Sequence, residues 1–152
     1  MSQDGQYDDV AAELRLANAS ATFAATALAA PALDTRATAP QWTIVGMKRV
    51  CDAADTSCTW SFSVDTHLSA ATLCTFTVKG KPASQTSGTG ATCGGYTVTS
   101  GWSGQFGPGN GFTTLSVVDN TQKKIVWPAY TDKQLAGGAV VTPDQSYPVT
   151  QL

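Results

Sequence analysis

Charge is scarce in this 152-residue chain, where Asp, Glu, Lys and Arg make up 13% of the residues, against roughly 25% in average soluble domains. From residue 42 onward there are seven basic and six acidic residues, a net charge of +1. The basic residues occur at most in pairs, such as Lys48-Arg49, and form no stripe that follows a phosphate backbone. The sequence therefore predicts no nucleic-acid partner.

Glutamate, histidine and long apolar runs are also lacking. Glu13 is the one glutamate and His67 the one histidine. Glycosidases need two carboxylates at a fixed separation, whereas most aspartates beyond residue 41 occupy turn-like contexts. No apolar run approaches the ~20 residues that cross a bilayer. We expect no catalytic residue, no metal site, no cofactor and no transmembrane segment, and an enzyme is the minority interpretation.

One stretch comes close to a catalytic motif. Gly101-Trp102-Ser103-Gly104-Gln105 departs from the G-x-S-x-G nucleophile elbow because Gln105 replaces the last glycine. The elbow also needs a later histidine, and His67 precedes the serine. Ser103 is therefore predicted to be a loop hydroxyl. His67 is predicted to be a turn residue, and a general base formed by His67 and Asp65 remains open.

The four cysteines include no C-x-x-C pair, which favours disulfides over a zinc site. Four cysteines allow three pairings. A bond between Cys51 and Cys58 would close a hairpin, and a bond between Cys74 and Cys93 would tether a glycine-rich loop to the following strand. On these local grounds we favour this pairing, with stabilisation of about 2.5 and 3 kcal/mol respectively.

Residues 1–40 differ in character from the rest. A short helix is predicted over 8–16, and the alanine-rich stretch 19–32 resembles the apolar part of a secretory signal, with Ala27-Leu28-Ala29 as a cleavage site. The basic front region of a signal is missing, so an alanine-rich tail that was never a signal is the alternative. We predict a tail with a signal or propeptide remnant over 1–40 and a secreted β domain over 41–152.

The β domain shows strand periodicity. Trp60, Phe62 and Val64 alternate with polar residues, and 18 Thr and 10 Ser follow residue 41, a composition suited to half-exposed sheet. We predict an all-β, disulfide-stabilised, antiparallel sandwich or barrel of seven to eight strands. The predicted strands lie near 41–50, 59–65, 74–79, 96–100, 112–118 and 123–127, with one or two more within 139–151. The predicted loops are 80–95 and the glycine-aromatic loop 101–111, and a helical turn is expected at 131–137.

The β domain contains an ordered set of segments: Cys51–Cys58, Thr59-Trp60-Ser61-Phe62-Ser63, Cys74, Cys93, and Ser100–Gly107 followed by Phe112-Thr113-Thr114-Leu115. In this set the chain resembles a group of small secreted fungal proteins. These are the hypersensitive-response-inducing protein elicitors of plant-pathogenic fungi, of the rice-blast type. The resemblance covers roughly residues 41–152. It implies a cysteine-stabilised β protein that is secreted during infection and sensed by the plant, causing defence responses and local cell death. It implies no established catalytic residues.

The resulting hypothesis is an elicitor or effector of the plant apoplast that acts by surface recognition at a plant cell-surface receptor or plasma-membrane protein. Exposed loops are where a scaffold displays contacts, so the loops 52–57, 79–92 and 101–111 are the predicted contact regions. The predicted partner-binding residues are Asp52, Asp55, Lys81, Trp102 and Gln105.

Two alternatives belong to other classes. A carbohydrate-binding module would use Trp102, Tyr96 or Tyr130 as a stacking platform on a cell-wall polysaccharide, although burial of these rings is the favoured interpretation. A small hydrolase is less favoured, since it needs a cleft that brings Asp65 and His67 to a second polar group.

Overall fold

A computed structural model of the protein describes residues 40–152, and the predicted signal-like tail lies outside them. Ten β-strands, one short α-helix and two 3₁₀ turns follow one another in these residues. The strands are β1 (Gln41–Cys51), β2 (Ser57–Asp65), β3 (Thr72–Lys79), β4 (Gly88–Cys93), β5 (Tyr96–Ser103), β6 (Phe112–Asp119), β7 (Lys124–Val126), β8 (Ala129–Thr131), β9 (Gln145–Pro148) and β10 (Thr150–Gln151). Helix α1 covers Asp132–Leu135, and the 3₁₀ turns cover Ala83–Gln85 and Ala136–Gly138.

The strands form two antiparallel sheets in a sandwich-like arrangement. The four-stranded sheet has the order β3-β2-β1-β9, and the six-stranded sheet has the order β10-β7-β6-β5-β4 with β8 paired to β6. Strands β9 and β10 are separated by Val149 alone, so the chain passes directly from one sheet to the other. The predicted antiparallel all-β fold is confirmed, with more strands than expected. No helix in residues 40–152 is long and apolar enough to cross a membrane.

The core follows from alternation in the central strands. Trp60, Phe62 and Val64 of β2 are at most 3% exposed and join one hydrophobic cluster with residues of the six-stranded sheet, including Val98 and Leu115. Their outward neighbours are serine and threonine, because successive side chains of a strand point to opposite faces. The predicted inward face of β2 is confirmed.

A bulge at Gly46 determines which side chains of β1 are buried. Simple alternation would place Met47 on the face opposite Ile44. The register between β1 and β2 shifts after Val45, and Gly46 has a φ of 65°, so Met47 and Arg49 are buried on the same side as Ile44. One extra residue reverses the parity of a strand, and β1 therefore has one buried face.

Two predicted loops are partly strand. The expected loop 80–95 contains β4, whose residue Ala91 pairs with Val98. Strand β5 continues through Gly101 and Trp102 to Ser103, although these residues were predicted to be loop. Ladder hydrogen bonds use only backbone groups, so glycine- and threonine-rich segments pair without apolar alternation. The stretch 139–141 forms no strand.

The helical turn and both disulfides agree with the sequence prediction. Thr131 caps α1 and forms a capping box with Gln134. The Cys51–Cys58 bond lies at the end of the β1–β2 hairpin. The bond between Cys74 and Cys93 joins β3 of one sheet to β4 of the other, so it connects the two sheets as well as tethering the loop.

We expect Gly46→Ala to destabilise the fold by about 1–2 kcal/mol, the cost of a left-handed conformation for a residue with a Cβ atom. No heavy atom lies within 4 Å of a Cβ built at Gly46, so the cost is conformational rather than steric. Gly95→Ala is the matched control, because Gly95 also has open space but no left-handed φ. Equal unfolding free energies for the two variants in urea would contradict this reading of the bulge.

Candidate functional site

Three segments distant in sequence meet at one end of the sandwich. They are the turn 52–57 between β1 and β2, the segment 79–87 between β3 and β4, and the glycine-aromatic loop 101–111. We call this surface the loop face. Hydrogen bonds connect the first segment to the second and the second to the third, so the regions predicted to display contacts form one surface.

Asp55 fixes the first segment to the second. Its backbone carbonyl accepts a hydrogen bond from the Ala83 N–H at 2.8 Å. One carboxylate oxygen accepts from the Ser84 N–H at 2.8 Å, and the other accepts from the Ser84 hydroxyl. Asp55 is half-buried and has a φ of 53°, a conformation that aspartate tolerates better than most residues. Its carboxylate is therefore an internal anchor.

Asp52 organises the turn in which it lies. Its carboxylate accepts from the Thr56 N–H at 2.7 Å, the Thr56 hydroxyl at 2.6 Å and the Ser57 N–H at 3.3 Å. Donation by the Thr56 hydroxyl, followed by donation from the Thr56 backbone, lowers the pKa of Asp52 below its ordinary value of 3.8. Asp52 is exposed and contributes a fixed negative charge to the loop face.

Below these turns lies a buried ion pair. Arg49 is 6% exposed, and its guanidinium contacts the Asp132 carboxylate at 3.1 Å and donates to the Ser84 carbonyl at the same distance. It also lies 5.5 Å from the centre of the Trp60 ring, within cation–π range. The second carboxylate oxygen of Asp132 accepts from the Trp102 indole N–H at 2.9 Å. Asp132 thus joins β1, α1 and the glycine-aromatic loop.

Two glycines make room for the Trp102 indole. A Cβ atom at Gly104 would lie 2.5 Å from the ring carbon Cη2, and one at Gly111 would lie 2.8 Å from Cζ2 and Nε1. Both distances are shorter than any normal contact, so the loop backbone packs directly against the half-buried ring. The Trp102 backbone N–H donates to the Ser87 hydroxyl at 3.2 Å, which connects the loop to the second segment.

Phe106, the second aromatic residue of the glycine-aromatic loop, is exposed. Its side chain is 65% exposed and stacks on Phe112 with a centroid separation of 5.7 Å. Together with Asn110, Tyr130 and Gln134, the two rings line a groove of about 310 Å³. Trp102 therefore anchors the glycine-aromatic loop, whereas Phe106 projects into solvent.

The family model described as Effector TSP1 matches residues 43–152. The chain is also 58% identical over 133 residues to Effector TSP1 of the fungus Hypocrea virens, a match that covers 85% of this chain and 90% of that protein. The chain belongs to the Effector TSP1 family. The matched range includes the whole loop face, both disulfides and the Arg49–Asp132 pair of this family member.

The five residues predicted to bind a partner divide into two groups. Asp55 and Trp102 are half-buried and, with the exposed Asp52, hold the loop face together through the bonds described above. Lys81 and Gln105 are exposed, and within residues 40–152 neither side chain makes a hydrogen bond or an ion pair. The sequence missed Arg49, Ser84 and Asp132 as site residues, because 83 positions separate Arg49 from Asp132 and no motif connects them.

His67 lies at the other end of β2, away from the loop face. Its backbone N–H donates to an Asp65 oxygen at 2.8 Å, its Nδ1 lies 3.6 Å from the second oxygen, and its Nε2 lies 2.8 Å from the Thr43 hydroxyl. The Thr43 hydroxyl is thus a second polar group beside Asp65 and His67, of the kind that the hydrolase alternative needs. Ser103 is not part of it, because His67 lines a cavity with Tyr96, which is about 23 Å along β5 from Ser103 at ~3.3 Å per residue.

Two rings of the carbohydrate-platform hypothesis lie in the core. Tyr96 is 9% exposed and Tyr130 is 1% exposed, and burial raises the pKa of the Tyr130 hydroxyl. Neither ring offers a face for stacking on a sugar. A stacking platform that includes Tyr96 or Tyr130 is therefore wrong. The favoured interpretation, burial, is confirmed for both tyrosine rings.

We expect Asp132→Ala to destabilise the protein by about 3 kcal/mol, at the low end of the range for breaking a buried pair, since the Asp132 side chain is 27% exposed. The variant leaves Arg49 without its counter-ion and the Trp102 indole without its acceptor. Lys133→Ala, at the exposed neighbouring position, should change stability by less than about 0.5 kcal/mol. Similar denaturation midpoints for the two variants would refute this role of Asp132.

A carboxyl NMR titration should give Asp52 a pKa below 3.8. Because the folded-state pKa is lowered, Asp52 stabilises the fold above its unfolded-state pKa, and this contribution disappears as the pH falls through the folded value. Thr56→Val removes the hydroxyl donor and should move the pKa upward. Thr59→Val, on the neighbouring strand, serves as the control and should leave the Asp52 titration unchanged.

Proposed function

We propose that this protein is a secreted fungal elicitor that triggers plant defence and hypersensitive cell death through recognition of its loop face by a receptor or membrane protein at the plant cell surface. The observation that carries the proposal is the way three loops are fixed around the Arg49–Asp132–Trp102 network. Their ordered surface displays Lys81, Gln105 and Phe106 to solvent.

Family membership supports the first part of the proposal. The Hypocrea virens relative carries the name effector, and effectors act on a host. Two disulfides suit an oxidising extracellular space, which in an infected leaf is the apoplast. The low charge and hydroxyl-rich surface fit a protein that diffuses there.

Order in the loop face favours recognition. A flexible loop loses side-chain and backbone entropy when it binds, and a loop fixed beforehand avoids much of this cost. Asp52, Asp55 and Trp102 supply that order through internal hydrogen bonds. Exposed aromatic side chains beside an apolar groove are frequent centres of binding energy, and Phe106 has this position.

Infiltration of the purified protein into leaves tests the proposal directly. Necrosis and an oxidative burst are expected at micromolar protein, and reduction followed by alkylation of the four cysteines should abolish both by unfolding the loop face. The absence of any response to the intact protein at this dose would sink the proposal. Retention of the full response after alkylation would show that the folded loop face is not what the plant senses.

We expect the double variant Lys81→Glu with Gln105→Arg to need at least about ten times more protein for half-maximal cell death, equivalent to a loss of ~1.4 kcal/mol in binding. Both positions are exposed, so the fold should be unchanged by circular dichroism. The control is Ser69→Arg, an exposed substitution in the turn at the other end of β2. If the control loses activity and the double variant does not, recognition occurs elsewhere on the molecule.

A further variant, Phe106→Ala, distinguishes a polysaccharide partner from a receptor. Wall binding would replace the receptor proposal if three results occur together. The wild-type protein is retained on chitin or cellulose, the Phe106→Ala variant is not retained, and leaves do not respond to the protein. A leaf response without retention supports the receptor.

A further inference from the structure

We propose that reduction of the Cys51–Cys58 disulfide converts the β1–β2 hairpin into a binding site for a zinc-like divalent ion, with Cys51, Cys58 and Asp55 as its ligands. One ligand atom from each residue lies within 4.8 Å of the others. In the oxidised protein the two sulfurs are bonded to each other, so they are not thiolate ligands.

The two cysteines are held together by more than their covalent bond. Cys51 and Cys58 are opposite each other in the β1–β2 ladder, next to the pair Val50 and Thr59, and their Cα atoms are 3.9 Å apart. Strand β2 is also paired along its other edge with β3. The ladder therefore keeps both thiols at one place after the disulfide is reduced.

Asp55 is positioned independently of the disulfide. One of its carboxylate oxygens lies 3.6 Å from the Cys58 sulfur. Ser84 donates to both carboxylate oxygens through its N–H and its hydroxyl. Donors that orient a ligating carboxylate in this way are typical of the outer shell of metal sites, and Ser84 would fill that role.

The ligand set identifies the class of ion. Two thiolates with one carboxylate suit Zn²⁺ and its analogues Co²⁺ and Cd²⁺, whereas Mg²⁺ and Ca²⁺ prefer oxygen ligands. Tetrahedral coordination at a Zn–S distance of ≈ 2.3 Å requires the sulfurs to lie about 3.7 Å apart, a separation that side-chain rotation provides between opposite strand positions. Three protein ligands leave the fourth position to water.

An entry path leads to this site. A cavity of about 400 Å³ is lined by Cys51, Asp52 and Asp55, so a reductant, an ion and a water ligand reach it from solvent. Arg49 also lines the cavity, but its charge is paired with Asp132.

The chemistry is a two-electron reduction followed by metal binding. Two molecules of a thiol reductant transfer two electrons to the Cys51–Cys58 bond and leave as their own disulfide, and each cysteine sulfur takes up one proton. The divalent ion then displaces these two protons and forms two metal–thiolate bonds. In a reducing compartment the ion replaces the covalent cross-link of the hairpin.

The test uses the full chain reduced by a water-soluble phosphine, which takes an oxygen from water and leaves as the phosphine oxide, followed by removal of the reductant under argon. Co²⁺ should give thiolate charge-transfer absorption with one ion per chain, and Zn²⁺ should displace it. In the reduced, metal-free protein the half-buried Cys51 should react with iodoacetamide, and in the zinc-loaded protein it should resist alkylation, as located by peptide mass spectrometry.

Asp55→Asn is the decisive variant, because asparagine tolerates the same left-handed conformation and keeps both thiols. Its zinc affinity should fall at least about tenfold. Cys51→Ser with Cys58→Ser should remove the charge-transfer band. Equal zinc affinity in Asp55→Asn and the wild type would overturn the proposal. So would cobalt binding by the double serine variant, or binding only by reduced chains whose circular dichroism has lost the β signal.

Discussion

The Arg49–Asp132 ion pair is the interaction on which the rest of the loop face depends. Arg49 is nearly fully buried, and an unpaired guanidinium at that depth costs several kcal/mol. Asp132 neutralises it and also accepts the Trp102 indole N–H. One carboxylate at the start of a four-residue helix therefore satisfies groups from both sheets. Loss of either partner would leave the other charge uncompensated below the loop face.

That arrangement explains the glycines that the sequence displays so prominently. Gly104 and Gly111 permit the loop backbone to contact the Trp102 ring, while Gly46 allows the bulge that turns Arg49 inward. The glycine content of the chain is thus tied to close packing and to the parity of a strand. These glycines do not make the glycine-aromatic loop flexible, because hydrogen bonds fix the loop at both ends.

The sequence predicted features that rest on local patterns. Alternation in β2, the helical turn that contains α1 and the hairpin cysteines all follow from neighbours a few positions apart, and each was predicted. The bulge at Gly46 was not, because one inserted residue leaves no mark in the alternation before it. Strand β4 carries no apolar periodicity, so its backbone pairing was invisible. Arg49 and Asp132 come together only through tertiary folding, and no spacing rule connects them.

The direct passage of the chain from β9 to β10 makes the folded molecule more resistant to proteolysis. At one side of the sandwich, a single residue, Val149, separates the strand that pairs with β1 from the strand that pairs with β7. At another side, the Cys74–Cys93 bond joins β3 to β4. Neither sheet separates from the other without unpairing a terminal strand or breaking a covalent bond. Partial opening, which exposes a chain to proteases, is therefore disfavoured. A protein built this way resists proteolysis in its folded state.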